Sequence, residues 1–219
     1  MPYPQDLVGK YINYKIDQGG TGNMSAHLVN GVLPGQTTAA TVSVYTGVPP
    51  VGQGKYQVVN TNVPWTFTFL KYYAAFVTTA PLTGHVMTGP MSGCYLCTYN
   101  QGGQKLAHIG TAHNPQDPAS IAAKKAWLTF VARGDVSGVK GGSPADYFPF
   151  GEIKAAMRVG DPVPQVVGYF AAGAAYAILL AAVRTSQNPA GLNLLKVAAV
   201  KTMTMQPWSS IAAMRRFKL

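Results

Sequence analysis

This sequence has few of the residue types from which function is usually inferred. Only two of its 219 residues are cysteines, and only 11% are charged. Two cysteines three positions apart cannot staple a chain of this length, which excludes a disulfide framework and leaves thiol chemistry or buried core thiols. With 47% hydrophobic residues, the low charge also excludes an intrinsically disordered chain and a coiled coil.

A leader segment and a membrane-spanning helix are also not predicted. The stretch Met1 to Asp6 has no basic region followed by an apolar run, so we expect no standard secretory signal. The uncharged stretch Val163 to Val183 is long enough to cross a bilayer as a helix. However, its glycines and its Val, Tyr and Phe content favour two buried strands, Gln165 to Ala172 and Ala174 to Arg184. A membrane-active toxin domain therefore stays as an alternative, with membrane binding the less favoured reading.

Acidic residues are scarce as well: seven stand against 17 lysines and arginines, for a net charge of +10. The basic residues are spread along the chain, with one tight cluster at residues 215–218. A diffuse positive field favours association with an acidic protein, nucleic acid or anionic lipid. We expect an acidic protein substrate or an acidic neutralising partner, and no nucleic acid.

The 24 glycines and 16 prolines divide the chain into short segments, which favours strands over long helices. One convincing helix begins after Asp117, which can cap it, with Pro118 in its first turn, and continues to Arg133; a short helix is predicted from Glu152 to Arg158. Strands are predicted over residues 41–45, 55–60, 65–70, 72–79, 95–99, 105–109 and 195–205, besides the two given above. The layout predicts a single α+β domain over residues 1–219, with a β-sandwich core and peripheral helices.

The segment from Thr88 to Thr111 holds the best candidate for chemistry. A Ser92-Gly93-Cys94 turn opens an apolar strand, a Gly-rich break follows, and a second short run ends on His108. A hairpin of this kind can place the cysteine beside the histidine, and a histidine can act as base for a thiol nucleophile. The small residues of the turn leave room for substrate and let backbone N–H groups face a developing oxyanion.

Strand alternation separates the two cysteines. Cys94 and Leu96 are predicted to share one face of the strand, whereas Tyr95 and Cys97 face the other. Cys97 is therefore expected to be a core thiol.

Taken together, the Ser-Gly-Cys turn, the apolar strand, the short loop and the second strand that ends in His108-Ile-Gly-Thr resemble the glutamine deamidases of the cytotoxic necrotizing factor type. Thr88, six residues before Cys94, also matches the Burkholderia lethal factor branch, and the chemoreceptor deamidases are more distantly similar. The resemblance covers about residues 85 to 112. In this segment Pro90-Met91 stands where the family usually has a leucine and often an aromatic residue.

The resemblance implies a protein-glutamine deamidase that hydrolyses a side-chain amide to glutamate and ammonia, or also transfers the acyl group to an amine. It implies Cys94 as nucleophile, His108 as general base and Thr88 as the residue that orients the imidazole through its backbone carbonyl. Ser92 and Gly93 would shape the site and hold the oxyanion. The implied setting is a bacterial toxin or effector that is exported without a standard signal and acts in the cytoplasm of a target cell. No cofactor and no metal are implied.

Two other readings use the same cysteines. Cys94 to Cys97 is a C-x-x-C, but a thioredoxin-type redox motif should open a helix, and these residues favour a strand. With His108 and His113 the spacing approaches that of a zinc-binding, nucleic-acid-interacting module, although such a module places its histidines on a helix. The zinc module stays as an alternative function.

Overall fold

The computed structural model describes residues 3–13, 31–48, 57–73, 75–91, 93–111, 114, 116–157, 164–171, 173–182, 194–213 and 217. These residues form an α+β fold with a sheet-rich core. Its α-helices are α1 (Pro118–Val131), α2 (Phe150–Ala156) and α3 (Trp208–Ala213). Its strands are β1 (Tyr11–Asn13), β2 (Val32–Pro34), β3 (Thr37–Val42), β4 (Val44–Val48), β5 (Gln57–Asn60), β6 (Trp65–Leu70), β7 (Val77–Pro81), β8 (Val86–Met91), β9 (Tyr95–Asn100), β10 (Gln104–Ile109), β11 (Ser137–Gly142), β12 (Gln165–Ala171), β13 (Ala174–Ala182), β14 (Leu194–Met203) and β15 (Gln206–Pro207).

The strands are arranged in two sheets. The first sheet has the order β3-β6-β8-β12-β13-β14-β1-β4-β5, and the second has the order β15-β11-β9-β10-β7-β2. Only Ser43 separates β3 from β4, although these strands hold the first and eighth places of the first sheet. Because neighbouring Cα atoms are only about 3.8 Å apart, the first sheet must curl until these two strands meet.

Apolar side chains define three layers of core. One cluster, which includes Trp65, Phe69 and Tyr169, fills the inside of the curled first sheet. A second cluster, which includes Leu96 and Phe170, lies between the two sheets. A third lies between the outer face of the second sheet and helices α1 and α3. A fully buried Leu or Phe side chain contributes about 1.5–3 kcal/mol, so these layers hold the sheets together.

Several sequence predictions are confirmed. The uncharged stretch forms the strands β12 and β13, which are antiparallel and meet at Gly173, and within the described residues no helix is long and apolar enough to cross a bilayer. Helix α1 begins at Pro118, and the carboxylate of Asp117 caps it by accepting a hydrogen bond from the Ala119 N–H at 2.8 Å. The predicted hairpin is β9 and β10.

The segment from Gly134 to Ser143, predicted as a loop, contains the strand β11. Its glycines carry little strand propensity, but a Cβ on Gly141 would come within 2.9 Å of the Cys97 sulfur. Close packing on β9 thus decides the conformation here, and local propensity does not. Strand β8 and helix α3 were not predicted either.

The two sheets pack closely at Gly168 in β12, which pairs with Thr88 in β8. A Cβ at this position would overlap the Leu96 side chain of the second sheet and lie 3.3 Å from Pro144 Cγ. Gly168 therefore sets the spacing of the sheets next to the candidate site.

We expect Gly168→Ala to lower the free energy of unfolding by about 1–3 kcal/mol, because the added methyl group overpacks the layer between the sheets. Urea denaturation monitored by circular dichroism measures this. Gly151→Ala in the exposed helix α2, where a Cβ meets no atom within 4 Å, is the matched control and should leave the free energy unchanged or raise it by up to about 1 kcal/mol. Equal stability of the two variants would contradict the role given to Gly168.

Candidate active site

Cys94 stands where the chain enters the second sheet. Strand β8 of the first sheet ends at Met91, and β9 of the second sheet begins at Tyr95, directly after the cysteine. The Cys94 side chain is 2% exposed and belongs to the cluster between the sheets, together with Leu96. Tyr95 belongs to the cluster beneath the helices. The predicted alternation along this strand is therefore confirmed.

The register of the hairpin brings His108 to the same face. In the β9–β10 ladder His108 pairs with Leu96, and Cys94 precedes Leu96 by two residues. Positions two apart on a strand share a face, so Cys94 and His108 are diagonal neighbours between the sheets. Diagonal neighbours are about 7–8 Å apart at their Cα atoms, which is within reach of a long side chain.

Thr88 holds the imidazole of His108 from the opposite sheet. Its Oγ1 lies 2.6 Å from His108 Nδ1, and both side chains are buried. Thr88 belongs to β8 of the first sheet and His108 to β10 of the second, so this hydrogen bond joins the sheets. The sequence suggested the backbone carbonyl of Thr88 as the partner of the imidazole, whereas the structure uses its side-chain hydroxyl.

The surroundings of His108 keep its imidazole neutral. Burial lowers the pKa of His108 to about 3, because the charged form would lose its hydration. Its Nε2 is buried and has no hydrogen-bond partner among the described residues. In the tautomer in which Nδ1 donates to Thr88, the lone pair of Nε2 can accept a proton. In that tautomer one ring nitrogen is fixed by Thr88 and the other is unengaged among the described residues.

Thr111, just beyond the end of β10, contacts the cysteine turn twice. The thiol of Cys94 donates to the Thr111 carbonyl oxygen, with 3.1 Å between sulfur and oxygen. The Thr111 hydroxyl donates to the Gly93 carbonyl oxygen at 2.5 Å. Thr111 thus contacts both the sulfur of Cys94 and the peptide unit before it.

Gly110, which follows the last residue of β10, lies where neighbouring backbone leaves no room for a side chain. A Cβ there would overlap the Tyr73 carbonyl oxygen and lie 2.8 Å from that of Phe76. The Gly110 N–H donates to this Phe76 oxygen, at 2.8 Å. The segment before β7 can thus pack directly on the backbone beside Cys94.

Tyr72 is a site residue that the sequence did not identify. Its ring lies 5.1 Å from the His108 ring, centroid to centroid, with 30° between the planes. Burial, and then the negative charge that Cys94 carries as a thiolate, raise the pKa of Tyr72 to about 12. Its hydroxyl is therefore protonated at neutral pH, and it lies close enough to Cys94 for an electrostatic interaction. The contact between Tyr72 and His108 depends on how the segment before β7 packs on Gly110. Packing between distant segments produces no local pattern in the sequence.

The remaining predicted residues are not all brought together. Ser92 and His113 lie outside the described residues. Cys97 faces the helices, away from Cys94, and burial raises its pKa. Within the described ranges no group of three or more His, Cys, Asp or Glu side chains could hold a metal ion. Opposite orientation of the two cysteines removes the geometric basis for a shared zinc ion or a redox pair.

No protein-family model matches this sequence, and no curated protein matches it either. The geometry of the site is therefore the evidence from which its function is inferred.

We expect the free energy of unfolding to decrease as the pH is lowered from about 7.5 to about 5. The unfolded chain protonates His108 near pH 6.5, whereas the folded chain does so only near pH 3, so acid favours the unfolded state across that window. The decrease due to this residue is on the order of 2 kcal/mol at pH 5. Urea titrations at several pH values should give a flatter profile for His108→Gln than for wild type. Identical profiles for wild type and His108→Gln would show that the imidazole is not held neutral.

We expect Tyr72→Ala to raise the rate at which iodoacetamide alkylates Cys94, by about tenfold or more, because the ring that covers the site is removed. Peptide mass spectrometry locates the label on Cys94 or Cys97. The neighbouring Tyr73→Ala is the control and should alkylate at the wild-type rate. Equal rates for both variants would mean that Tyr72 does not limit access.

Proposed function

We propose that this protein is a cysteine-dependent hydrolase that deamidates a glutamine side chain of a target protein. One observation carries the proposal: the Thr88 hydroxyl fixes Nδ1 of His108, while Cys94 lies on the same face of the hairpin. A nucleophile, a base and a group that orients the base are the parts that thiol catalysis requires. The resemblance of residues 85 to 112 to the glutamine deamidases supports this reaction over other thiol chemistry.

The proposed reaction has two halves. His108 Nε2 removes the proton from Cys94 Sγ, and the thiolate attacks the carbonyl carbon of the glutamine amide. The C–N bond then breaks as His108 returns the proton to the leaving nitrogen, which departs as ammonia and leaves a thioester. His108 next takes a proton from water, and the hydroxide attacks the thioester carbon. The C–S bond then breaks as His108 returns the proton to Sγ, which frees the new carboxyl group, ionised to glutamate in water, and regenerates the Cys94 thiol. The same thioester would react with an amine in place of water, which gives transglutamination.

Burial of the site supports a side-chain amide as the substrate. Cys94 is 2% exposed and His108 is 1% exposed, so a group must be slender to reach the thiol. A glutamine side chain is slender and carries its amide at the tip, whereas a backbone amide is flanked by chain on both sides. The unhindered end of a side chain is therefore the better fit for this thiol.

The charge of the chain and its resemblance suggest the setting. A net charge of +10 would draw an acidic target protein, or an acidic partner that neutralises the enzyme. The resemblance suggests a bacterial toxin or effector that acts in the cytoplasm of another cell. The proposed reaction uses no cofactor, because the thiol and the imidazole supply both the nucleophile and the proton transfers.

The test is a search for new glutamate residues in bacterial and eukaryotic lysates incubated with the protein in ¹⁸O-labelled water. Wild type should convert particular glutamines to glutamates that carry one heavy oxygen, a gain of ~3 Da, whereas Cys94→Ser should convert none. Cys97→Ala, which removes the thiol that faces the helices, should retain activity. Added methylamine distinguishes hydrolysis from transfer, since transfer yields N-methylglutamine without the heavy oxygen. Conversion that persists in Cys94→Ser, or none with wild type in either lysate, would contradict the proposal.

A further inference from the structure

The hydrogen bonds of Thr111 fix the peptide unit that joins Gly93 to Cys94. The Thr111 hydroxyl donates to the Gly93 carbonyl oxygen at 2.5 Å, and Thr111 is only 3% exposed. In a trans peptide unit the carbonyl and the N–H of the next residue point in opposite directions. With the Gly93 carbonyl held toward Thr111, the N–H of Cys94 is directed away from Thr111.

The direction of this N–H matters for the proposed reaction. When Cys94 Sγ attacks an amide, the carbonyl oxygen becomes an oxyanion close to the backbone of the nucleophile itself. A donor that already points there stabilises the transition state without rearranging during the reaction. Glycine leaves the peptide unit before Cys94 unusually free to rotate, so an outside group must fix its orientation.

We propose that Thr111 is a positioning residue whose hydroxyl orients the Cys94 N–H as the oxyanion donor. The inference rests on the proposed thiol chemistry and adds a role for a residue that touches neither substrate nor base. The backbone carbonyl of Thr111 also accepts the hydrogen bond of the Cys94 thiol, at 3.1 Å. One residue thus orients both the sulfur and the peptide unit before it. A substitution at this side chain removes the hydroxyl and leaves the backbone carbonyl in place.

Two reagents separate this role from a merely structural one. Acylation of a thiol by p-nitrophenyl acetate passes through a tetrahedral oxyanion, whereas alkylation by iodoacetamide displaces iodide and forms none. Both are measured on Cys97→Ala protein, in which Cys94 is the only thiol of the 219 residues. Thr111→Val keeps the shape of the side chain, and Thr111→Ser keeps the hydroxyl. Urea denaturation confirms that each variant is folded.

We expect Thr111→Val to acylate about 10²-fold more slowly than the parent protein and to alkylate within about threefold of it, which is the loss typical of one oxyanion donor. Thr111→Ser should restore acylation to within about threefold. Equal losses in both reactions, no loss in either, or a parent thiol that neither reagent modifies would overturn the inference. A selective loss of acylation in a protein that converts no glutamine would refute the proposed substrate alone and leave the role of Thr111 standing.

Discussion

The candidate site depends on one hydrogen bond between two sheets, from Thr88 in β8 to the imidazole of His108 in β10. Both side chains are buried, and a buried polar atom without a partner costs about 1–3 kcal/mol. The sheets must therefore hold a spacing at which the two atoms stay 2.6 Å apart. The same contact leaves one ring nitrogen fixed and the other, Nε2, unengaged. This one hydrogen bond therefore constrains both the spacing of the sheets and the orientation of the His108 imidazole.

Two glycines make that spacing possible, and each lies beside a residue of the site. Gly168 pairs with Thr88 and admits Leu96 of the opposite sheet, and Leu96 in turn pairs with His108. Gly110 admits the carbonyls of the segment before β7, which places Tyr72 on the imidazole. Neither glycine serves a turn: Gly168 admits side chains of the opposite layer, and Gly110 admits backbone carbonyls. Close packing next to the site therefore explains why these two positions are glycines.

The sequence predicted the parts that are set locally or by strand alternation. The period of two along β9 placed Cys94 and Cys97 on opposite faces, and Asp117 with Pro118 marked the start of α1. It did not predict β11, whose glycines have low strand propensity and whose conformation comes from packing on Cys97. It also missed Tyr72, because the contact joins segments that are distant in sequence. Contacts between elements carry no local signature, and the site consists mostly of such contacts.

Burial keeps the imidazole of the candidate site uncharged near neutral pH. The Cys94 thiol donates to the backbone carbonyl of Thr111, and burial lowers the pKa of His108 to about 3. An ion pair in this dry layer would lose its hydration, a cost that attraction between the two charges seldom offsets fully. In the proposed reaction a substrate amide would change this balance, because proton transfer would then lead directly to bond formation. The proposed reaction therefore requires that loss of the thiol proton be coupled to attack on the amide.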